Sequence, residues 1–405
     1  MSQAEGVQAA AWAWREHLRR GGTTEWAQWV RSAPDPAPYA DPPPGWQVPG
    51  AAQLELVRRL AAAGRLHGAA FTRLADLVLS RSGPGRGLAQ QPLAVPGGAA
   101  PRYGPPPVDP AQVPERELLR LAVGVLVELL LEAPVPPPLE PGPGRVRRLL
   151  GRTWPAGGPS FHVTGAPVSA SLVREQLRHA GHQEGGRTPA VVVLAAPFDE
   201  VLAEAWAARV QRGAAVRWRG FLRRWSGRPG LPSSADLTAV AQHWGQRVGP
   251  ARVHVVVRGD RSRAAGLVAD VLGLGDVPDP GTGAPRPLSA AGVDVVRRVN
   301  AVLGVRVDPV RHREVLPSLR EAVARAPVAG TASLTLPEPL RDWARSRAER
   351  LHEGLSAGGY RVHGDLQALV PVFAGPTRPD VGEAVRVALG ACLSLAAVTE
   401  GTGRP

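Results

Sequence analysis

The stretch Ser160-Phe-His-Val-Thr-Gly-Ala-Pro-Val-Ser-Ala-Ser171 decides the fold class of this chain. Its first residues predict a short strand, the Gly-Ala-Pro turn ends that strand, and residues 171–180 have the apolar spacing of an amphipathic helix. A strand, a turn and a helix in this order are typical of α/β proteins. Such a turn can hold a phosphate group, because the first backbone N–H groups of the helix have no partner within the helix.

Strands and helices continue to alternate after this stretch. Apolar β-branched strands are predicted at 191–195 and 253–257. Helices are predicted at 198–211, 216–225, 235–248, 264–272, 293–303 and 337–357. Continuous apolar strands separated by helices predict a parallel sheet that is buried on both faces. The expected fold class is therefore α/β, a parallel sheet flanked by helices over residues 158–375, followed by a C-terminal helix and tail at 376–405.

Residues 1–150 predict a mainly helical N-terminal domain with Pro- and Gly-rich links. Five of the eleven tryptophans lie in the first 46 residues. Trp26 and Trp29 are three residues apart, as on one face of a helix, so we expect the cluster to pack a helical core rather than to bind a ligand. The most apolar helix, Leu118 to Leu131, spans about 14 residues, which is shorter than the roughly 20 residues of a membrane span, and it carries Arg120 and Glu128.

The composition is dominated by arginine. The formal net charge is +13, and all 48 basic residues are Arg, because the chain contains no Lys. A charge this high is consistent with affinity for polyanions. The arginines are scattered rather than collected in one tract, and a GC-rich genome produces the same bias. We therefore expect an anionic small molecule rather than a nucleic acid as the ligand.

The cysteine content and the N-terminal residues indicate the cellular compartment of the protein. Cys392 is the only cysteine, which excludes an internal disulfide and a cysteine-based metal site. It lies in an apolar run, where a small buried thiol is expected. The N-terminal residues lack the basic-then-apolar pattern of a signal peptide, and no membrane span is predicted. The sequence therefore predicts a soluble, cytoplasmic protein.

Ligands of open α/β sheets bind beyond the carboxyl ends of the strands. That rule selects three loops, at 164–169, 195–199 and 258–263. The third loop contains Arg258, Arg261 and Arg263. Three guanidinium groups at a strand end can hold a phosphate or sulfate through bidentate hydrogen bonds. A solvated loop of an Arg-rich protein has the same pattern, and both interpretations stay open.

The first loop has part of the equipment of a phosphate-binding loop. Gly165 permits a tight turn, and Ser169 and Ser171 offer hydroxyl groups. A working P-loop also needs further glycines and a Lys that reaches the outer phosphate oxygens. ATP or GTP hydrolysis by a standard P-loop is therefore excluded unless an Arg replaces the Lys. Weak anion binding at the helix N-terminus is still expected.

Carboxylates and histidines indicate a catalytic or metal site less clearly than the loops indicate an anion site. Asp199, Glu200 and Glu204 follow the second strand on one predicted helix. Glu200 and Glu204 share a helix face, where a salt bridge to Arg209 or contact with solvent is expected. The histidines lack the spacing of metal ligands, so no metal site is predicted. His254, inside an apolar strand, is expected to be a buried, hydrogen-bonded residue.

Residues 216–225 interleave basic and aromatic side chains. Such mixing can bind single-stranded nucleic acid by stacking. The apolar residues have the spacing of a core-facing stripe, at Trp218, Phe221, Leu222 and Trp225. We therefore expect these side chains to pack in the core, with the arginines of the segment on the outer face. Together with the arginine cluster at 145–152, this face is a candidate polyanion surface.

Several segments resemble sulfotransferase-like proteins of high-GC actinobacteria. They are Pro189-Ala-Val-Val-Val-Leu-Ala-Ala-Pro-Phe-Asp-Glu-Val-Leu-Ala-Glu-Ala-Trp206, His243-Trp244-Gly245, Val296-Arg-Arg-Val-Asn300 and Leu336-Pro-Glu-Pro-Leu-Arg-Asp-Trp343. The likeness extends over residues 160–370 and rests on segments that define the topology. It implies a P-loop-type α/β fold, with sulfuryl transfer from 3'-phosphoadenosine 5'-phosphosulfate as the activity.

The chain departs from that family at the phosphosulfate site. The family loop reads Gly-Ala-Pro-Lys-(Ser/Thr)-Gly-Thr-Thr, whereas the stretch from Gly165 has Val168 in place of the Lys. The family's Arg after the next strand corresponds to Ala195 or Ala196, and Glu204 stands where the family has the Ser that helps to hold the 3'-phosphate. The segment from 160 also fits a later strand of the family, in which case the P-loop is absent.

Three functions remain open from the sequence. The first is a degenerate sulfotransferase-like protein with weak or no catalysis. The second is an active sulfuryl transferase in which an arginine of the third loop replaces the Lys. The third is a polyanion-binding or protein-interaction module.

Overall fold

The computed structural model describes residues 3–32, 50–80, 93–94, 106–133, 160–182, 184–186, 188–259, 263–275, 277, 287–327 and 333–401. Contacts divide the chain into two compact units. The helical unit comprises Met1–Pro134, Arg298–Ala329 and Asp380–Pro405. The sheet unit comprises Val135–Arg297 and Gly330–Pro379.

Helices make up most of the described secondary structure. In chain order they are α1 (Gln3–Arg19), α2 (Trp26–Ser32), α3 (Ala51–Ala62), α4 (Gly68–Ser80), α5 (Glu115–Glu132), α6 (Pro167–His179), α7 (Phe198–Gln211), α8 (Trp218–Ser226), α9 (Leu237–Val248), α10 (Ala264–Leu272), α11 (Ala290–Arg306), α12 (Pro309–Arg325), α13 (Arg341–Ala357) and α14 (Val381–Gly401). Short 3-10 turns lie at Pro110–Gln112, Pro250–Arg252, Glu338–Leu340 and Leu366–Leu369.

The described strands form one parallel sheet. They are β1 (Phe161–Gly165), β2 (Ala190–Ala195), β3 (Val253–Val257) and β4 (Arg361–His363), in the spatial order β1-β2-β3-β4. In the register of the sheet, Val163 lies beside Val192, and Val192 lies beside His254. The predicted α/β fold class with a parallel sheet flanked by helices is confirmed.

The sheet is covered on both faces. Successive side chains of a strand point to opposite faces. Phe161 packs on one face with Val173 of α6 and Val268 of α10. The next residue, His162, points to the other face, where its ring lies 4.7 Å from that of Trp244 on α9. Burial on both faces explains why β2 and β3 read as continuous apolar runs.

The outer edge of β1 is covered by residues 184–186. The backbone nitrogen of Gly185 donates to the carbonyl of Phe161 at 2.9 Å. The backbone nitrogen of Val163 donates to the Glu184 carboxylate at 2.6 Å. An open strand edge is a template for pairing with another chain, so these contacts protect the sheet from extension at β1.

Helix α5 lies at the centre of the helical unit. It is buried on most of its circumference and therefore needs partners on several sides. Helices α3, α12 and α14 pack against it. Helix α14 contains a window, Val381–Val398, that is long and apolar enough to cross a membrane, but 61% of this window is buried inside the protein. That burial is typical of a core helix and agrees with the prediction of no membrane span.

The N-terminal tryptophans belong to the core of the helical unit. Trp14 is completely buried, and its Nε1 donates to the carbonyl of Thr24 at 2.9 Å. Trp26 and Trp29 are also buried, and each donates to a backbone carbonyl. The prediction that they pack a helical core is confirmed. Trp46 lies outside the described residues.

Cys392 is a buried residue of α14. Its Sγ lies 3.7 Å from the carbonyl oxygen of Ala122 on α5. Burial raises the pKa of the thiol well above its usual range. The thiolate is the nucleophilic form of cysteine, so this side chain is chemically inert in the folded protein. The predicted buried thiol is confirmed.

The division into units differs from the predicted domain boundaries. Helices α12 and α14 belong to the helical unit, whereas the sequence places residues up to 375 in the α/β domain and 376–405 in a separate tail. Hydrophobic periodicity identifies the apolar face of a helix but not the partner that covers it. The apolar spacing also does not predict α12, which contains Pro317. The arginine cluster at 145–152 lies outside the described residues.

Gly165 makes a testable contribution to the sheet. Its φ is 102°, and a Cβ at this position would lie 2.3 Å from the carbonyl oxygen of Leu194 on β2. We expect Gly165→Ala to lower the free energy of unfolding by at least about 2 kcal/mol in urea denaturation, because the strained φ adds to the clash. Gly266→Ala on α10 is the control, because a methyl group there contacts nothing within 4 Å. Equal losses in both variants would contradict the steric explanation.

Candidate functional site

Helix α6 begins at Pro167 rather than at residue 171. Proline suits the first position of a helix, because the N–H group that it lacks would have no helical partner. Val168 and Ser169 therefore lie in the first turn, where their backbone N–H groups are free to bind a group outside the helix. This is the geometry with which a helix N-terminus binds phosphate.

A carboxylate of the protein occupies this helix end. Oε2 of Glu204, on α7, accepts hydrogen bonds from the backbone nitrogens of Val168 at 3.0 Å and Ser169 at 2.9 Å. Oε1 accepts from the Ser169 hydroxyl at 2.6 Å. Glu204 is 3% exposed, so the interaction is shielded from water. The negative charge is favoured by the positive end of the helix dipole, as that of a phosphate would be.

Arg258 completes the cluster from the end of β3. Its guanidinium Nη2 donates to Glu204 and to Glu200, at 2.9 Å in each case. Arg258 is 2% exposed, whereas the Glu200 side chain is 28% exposed. A buried guanidinium needs such partners, because an unpaired charge in the interior costs several kcal/mol. The two carboxylates therefore neutralise the arginine that the sequence assigns to an anion.

The two glutamates share a face of α7, as predicted, and both pair with Arg258 rather than with Arg209. Glu204 is buried, against the expectation of contact with solvent, whereas the Glu200 side chain stays 28% exposed. Arg209 is exposed. Helical spacing shows that two side chains share a face, but it cannot identify a partner on a distant strand.

The two serines of the predicted cradle have different positions. Ser169 is buried and bonded to Glu204. Ser171 is exposed, and its hydroxyl accepts a hydrogen bond at 3.1 Å from Arg174 of the same helix. Because α6 starts earlier than predicted, Ser171 lies past the first turn and points away from the helix end.

The arginines of the third loop do not form a clamp in the described part of the chain. Arg258 points inward to the glutamates. Arg263 is exposed at the start of α10. Arg261 lies outside the described residues. Of the predicted anion-binding residues, the structure brings together Gly165, Ser169 and Arg258.

Asp199 and Thr335 form a second polar contact at the start of α7. The hydroxyl of Thr335 donates to Oδ2 of Asp199 at 2.9 Å. Oδ1 is buried without a partner among the described residues. Burial raises the pKa of Asp199, against the opposing effect of the Thr335 hydrogen bond. No motif in the sequence indicates Thr335, which is 136 positions from its partner.

The cleft beside Glu204 is small. Its cavity volume is about 60 Å³, and its lining includes Val168, Trp206 and Leu334. A pocket for a drug-sized ligand measures about 300–1,000 Å³. A cleft of this size holds a few water molecules and not a nucleotide.

The order of the described strands also does not create a ligand-binding crevice at the carboxyl end of the sheet. Ligands of open α/β sheets bind where the strand order reverses. The described strands run β1-β2-β3-β4 without reversal. The packing of α7 against α6 closes the sheet end at which the sequence predicts an anion.

The histidines make pairwise contacts. His254 is 8% exposed, and its Nδ1 lies 3.1 Å from Nε2 of His363 on the neighbouring strand. Burial lowers the pKa of His254, and the charges of His363 and Arg361 lower it further. The predicted buried, hydrogen-bonded histidine is confirmed. Within the described residues, no three His, Cys, Asp or Glu side chains are arranged to hold a metal ion.

Comparisons with known proteins do not assign the chain to a family. No protein-family model matches the chain, and neither a curated protein nor a solved structure matches it. The resemblance to sulfotransferase-like proteins therefore rests on the segments of the sequence itself.

The buried charge cluster has a predicted effect on stability. Glu204→Gln keeps the size of the side chain but leaves Arg258 paired with the partly exposed Glu200. Because breaking a buried ion pair costs about 3–5 kcal/mol, we expect a loss of about 3 kcal/mol in urea denaturation. Glu200→Gln is the matched control on the same helix, and its loss should be below about 1 kcal/mol. A smaller loss in Glu204→Gln than in Glu200→Gln would contradict the assignment.

Asp199 has a predicted effect on the pH dependence of stability. Because its pKa is raised in the folded protein, its contribution to stability is complete below the unfolded pKa, near 4, and is lost as the pH rises through the folded pKa. Asp199→Asn stays neutral and should therefore gain stability relative to the wild type between about pH 4 and pH 7. Urea denaturation at each pH measures this difference. Asp342→Asn, at a side chain that is 98% exposed, should show no such trend, and a pH-independent difference for Asp199→Asn would refute the prediction.

Proposed function

We propose that this chain is a sulfotransferase-like protein with a degenerate phosphosulfate-binding loop and no sulfuryl transfer activity. The observation that carries the proposal is the Glu204 carboxylate, which is bonded to the first backbone N–H groups of α6. These are the donors that would bind the phosphosulfate in a P-loop-type site. The site is blocked by a charge of the same sign as the nucleotide.

The free energy needed to displace Glu204 would weaken the binding of a phosphosulfate at this helix end. An incoming phosphosulfate would have to displace Glu204 from Ser169 and from Arg258. Breaking a buried ion pair costs about 3–5 kcal/mol, and each 1.4 kcal/mol weakens binding about tenfold. A donor that would otherwise bind at micromolar concentration would therefore bind at millimolar concentration or more weakly.

The chain also lacks the cation that acts in sulfuryl transfer in the family that it resembles. Val168 stands at the position of the Lys in the family loop, and the sequence contains no Lys. The alternative, an active enzyme that uses Arg instead, needs a free guanidinium at the cradle. Arg258 already binds two carboxylates, and Arg263 is exposed. The geometry therefore favours the inactive protein.

Isothermal titration with 3'-phosphoadenosine 5'-phosphate tests the proposal. We expect no binding tighter than about 1 mM, because the buried ion pair must first be broken. Low-micromolar binding by the wild-type protein would refute it.

Glu204→Ser is the informative variant, because it restores the residue of the family and opens the helix end. If Glu204 blocks the site, inorganic sulfate should raise the melting temperature of Glu204→Ser more than that of the wild type at equal ionic strength. Sulfate also stabilises proteins by exclusion from their surface, and the difference between the two proteins removes that general effect. Equal shifts would show that another feature closes the site.

A further inference from the structure

One stretch of the sheet unit is rich in exposed positive charge. Residues 205–235 contain seven arginines and no Asp or Glu. They extend from the end of α7 through α8 to the start of α9. All seven are exposed, at Arg209, Arg212, Arg217, Arg219, Arg223, Arg224 and Arg228. We call this set the α8 arginine surface.

The arginines of this set are not paired with carboxylates. Several arginines of the helical unit are paired, as Arg19 binds Asp76 at 2.6 Å and Arg59 binds Glu115 at 2.7 Å. In the described part of the chain, no carboxylate lies within ion-pair distance of the α8 arginine surface. The described residues of the sheet unit therefore leave the positive charge of this surface without a direct ion pair.

The core holds the α8 arginine surface in a fixed position. Trp218, Phe221 and Leu222 of α8 are buried, as the apolar stripe predicts. Trp218 packs against Trp206 of α7 with a centroid distance of 5.7 Å, and Nε1 of Trp206 donates to the carbonyl of Val216 at 2.8 Å. Arg219, Arg223 and Arg224 therefore project from an anchored helix.

The spacing of the arginines suits a charged polymer. Arg219 and Arg223 are four residues apart, so their side chains are neighbours on the helix, at about 5–6 Å between Cβ atoms. Arg217 and Arg224 flank them on the exposed side. Helix α13 adds Arg347, whose Nη2 donates to the carbonyl of Arg228 at 2.9 Å. Several phosphates of one strand can therefore be contacted at the same time.

We propose that the α8 arginine surface binds the phosphate backbone of a nucleic acid without reading its sequence. Protein–DNA interfaces are polar and strongly positive, as this surface is. Contacts to phosphate carry no sequence information directly. Base stacking contributes little, because the aromatic side chains of α8 are turned into the core, except for the half-buried Trp225.

Two other partners fit the surface less well. A protein partner would need an apolar or aromatic centre in the interface, and the apolar residues of α8 are buried. A membrane-binding amphipathic helix inserts its apolar face between lipids, and the apolar face of α8 is covered by the sheet unit. The sequence argues against nucleic acid because the arginines are scattered along the chain, but the seven arginines between 209 and 228 are all exposed in the structure.

Fluorescence anisotropy with a labelled 30-base-pair DNA duplex of arbitrary sequence tests the proposal. The surface variant replaces four arginines by glutamine, at Arg217, Arg219, Arg223 and Arg224. Four phosphate contacts give a slope of log K against log salt of about −3.6, so wild-type affinity should fall about a hundredfold between 50 and 200 mM NaCl. The surface variant should bind at least tenfold more weakly at 100 mM NaCl and lose most of that slope.

The control variant carries the same change of net charge in the helical unit. It replaces four exposed arginines by glutamine, at Arg313, Arg320, Arg325 and Arg386. Its affinity should change by less than about threefold, because its charges lie outside the contact. Replacing Arg217, Arg219, Arg223 and Arg224 by lysine keeps the charge and should preserve the salt slope, which separates loss of charge from damage to the fold.

Three results would overturn the proposal. The first is an absence of wild-type binding to the duplex at 50 mM NaCl. The second is an equal loss of affinity in the surface and control variants, which would assign binding to net charge alone. The third is tighter binding of the wild type to phosphatidylserine vesicles or to polyglutamate than to the duplex, which would assign the surface to a membrane or to an acidic protein.

Discussion

The sheet unit depends on the contact between the Glu204 carboxylate and the N-terminus of α6. The carboxylate satisfies the backbone donors of Val168 and Ser169, and the same group pairs with the buried guanidinium of Arg258. One side chain therefore joins α6, α7 and the end of β3. An unpaired charge in the interior is costly, and the two carboxylates offset that cost for Arg258, although its Nε has no partner among the described residues. The same contact occupies the helix end at which the sequence predicts an anion, and the proposed function follows from it.

The surrounding structure is arranged to permit this contact. Gly165 lets β1 pass closely beside β2, and Pro167 starts α6 immediately after the strand. The first turn of α6 is thereby placed within reach of α7. The donors at the start of α6 are thus bound by a carboxylate that belongs to the chain itself. Positive charge is instead displayed on α8, where the core supports arginines that bind no carboxylate of the described residues.

Local patterns predicted the elements well, and partners between distant segments were harder to predict. The strands at 191–195 and 253–257, the buried stripe of α8 and the buried Cys392 follow from apolar spacing alone. The pairing of Glu204 with Arg258 does not, because it joins a helix to a strand end 54 positions away. The packing of α14 on α5 was missed for the same reason, since many apolar helices can cover one another. The absence of Lys was the clearest sign in the sequence against a standard P-loop.

The most direct measurement of the central claim is a crystal structure of the wild-type protein grown from ammonium sulfate. A high sulfate concentration favours binding of an anion at the N-terminus of α6. The account predicts that the Glu204 carboxylate still lies within hydrogen-bond distance of the backbone nitrogens of Val168 and Ser169, with Arg258 bonded to it. A sulfate ion bound to those two nitrogens, with Glu204 turned away, would contradict the account.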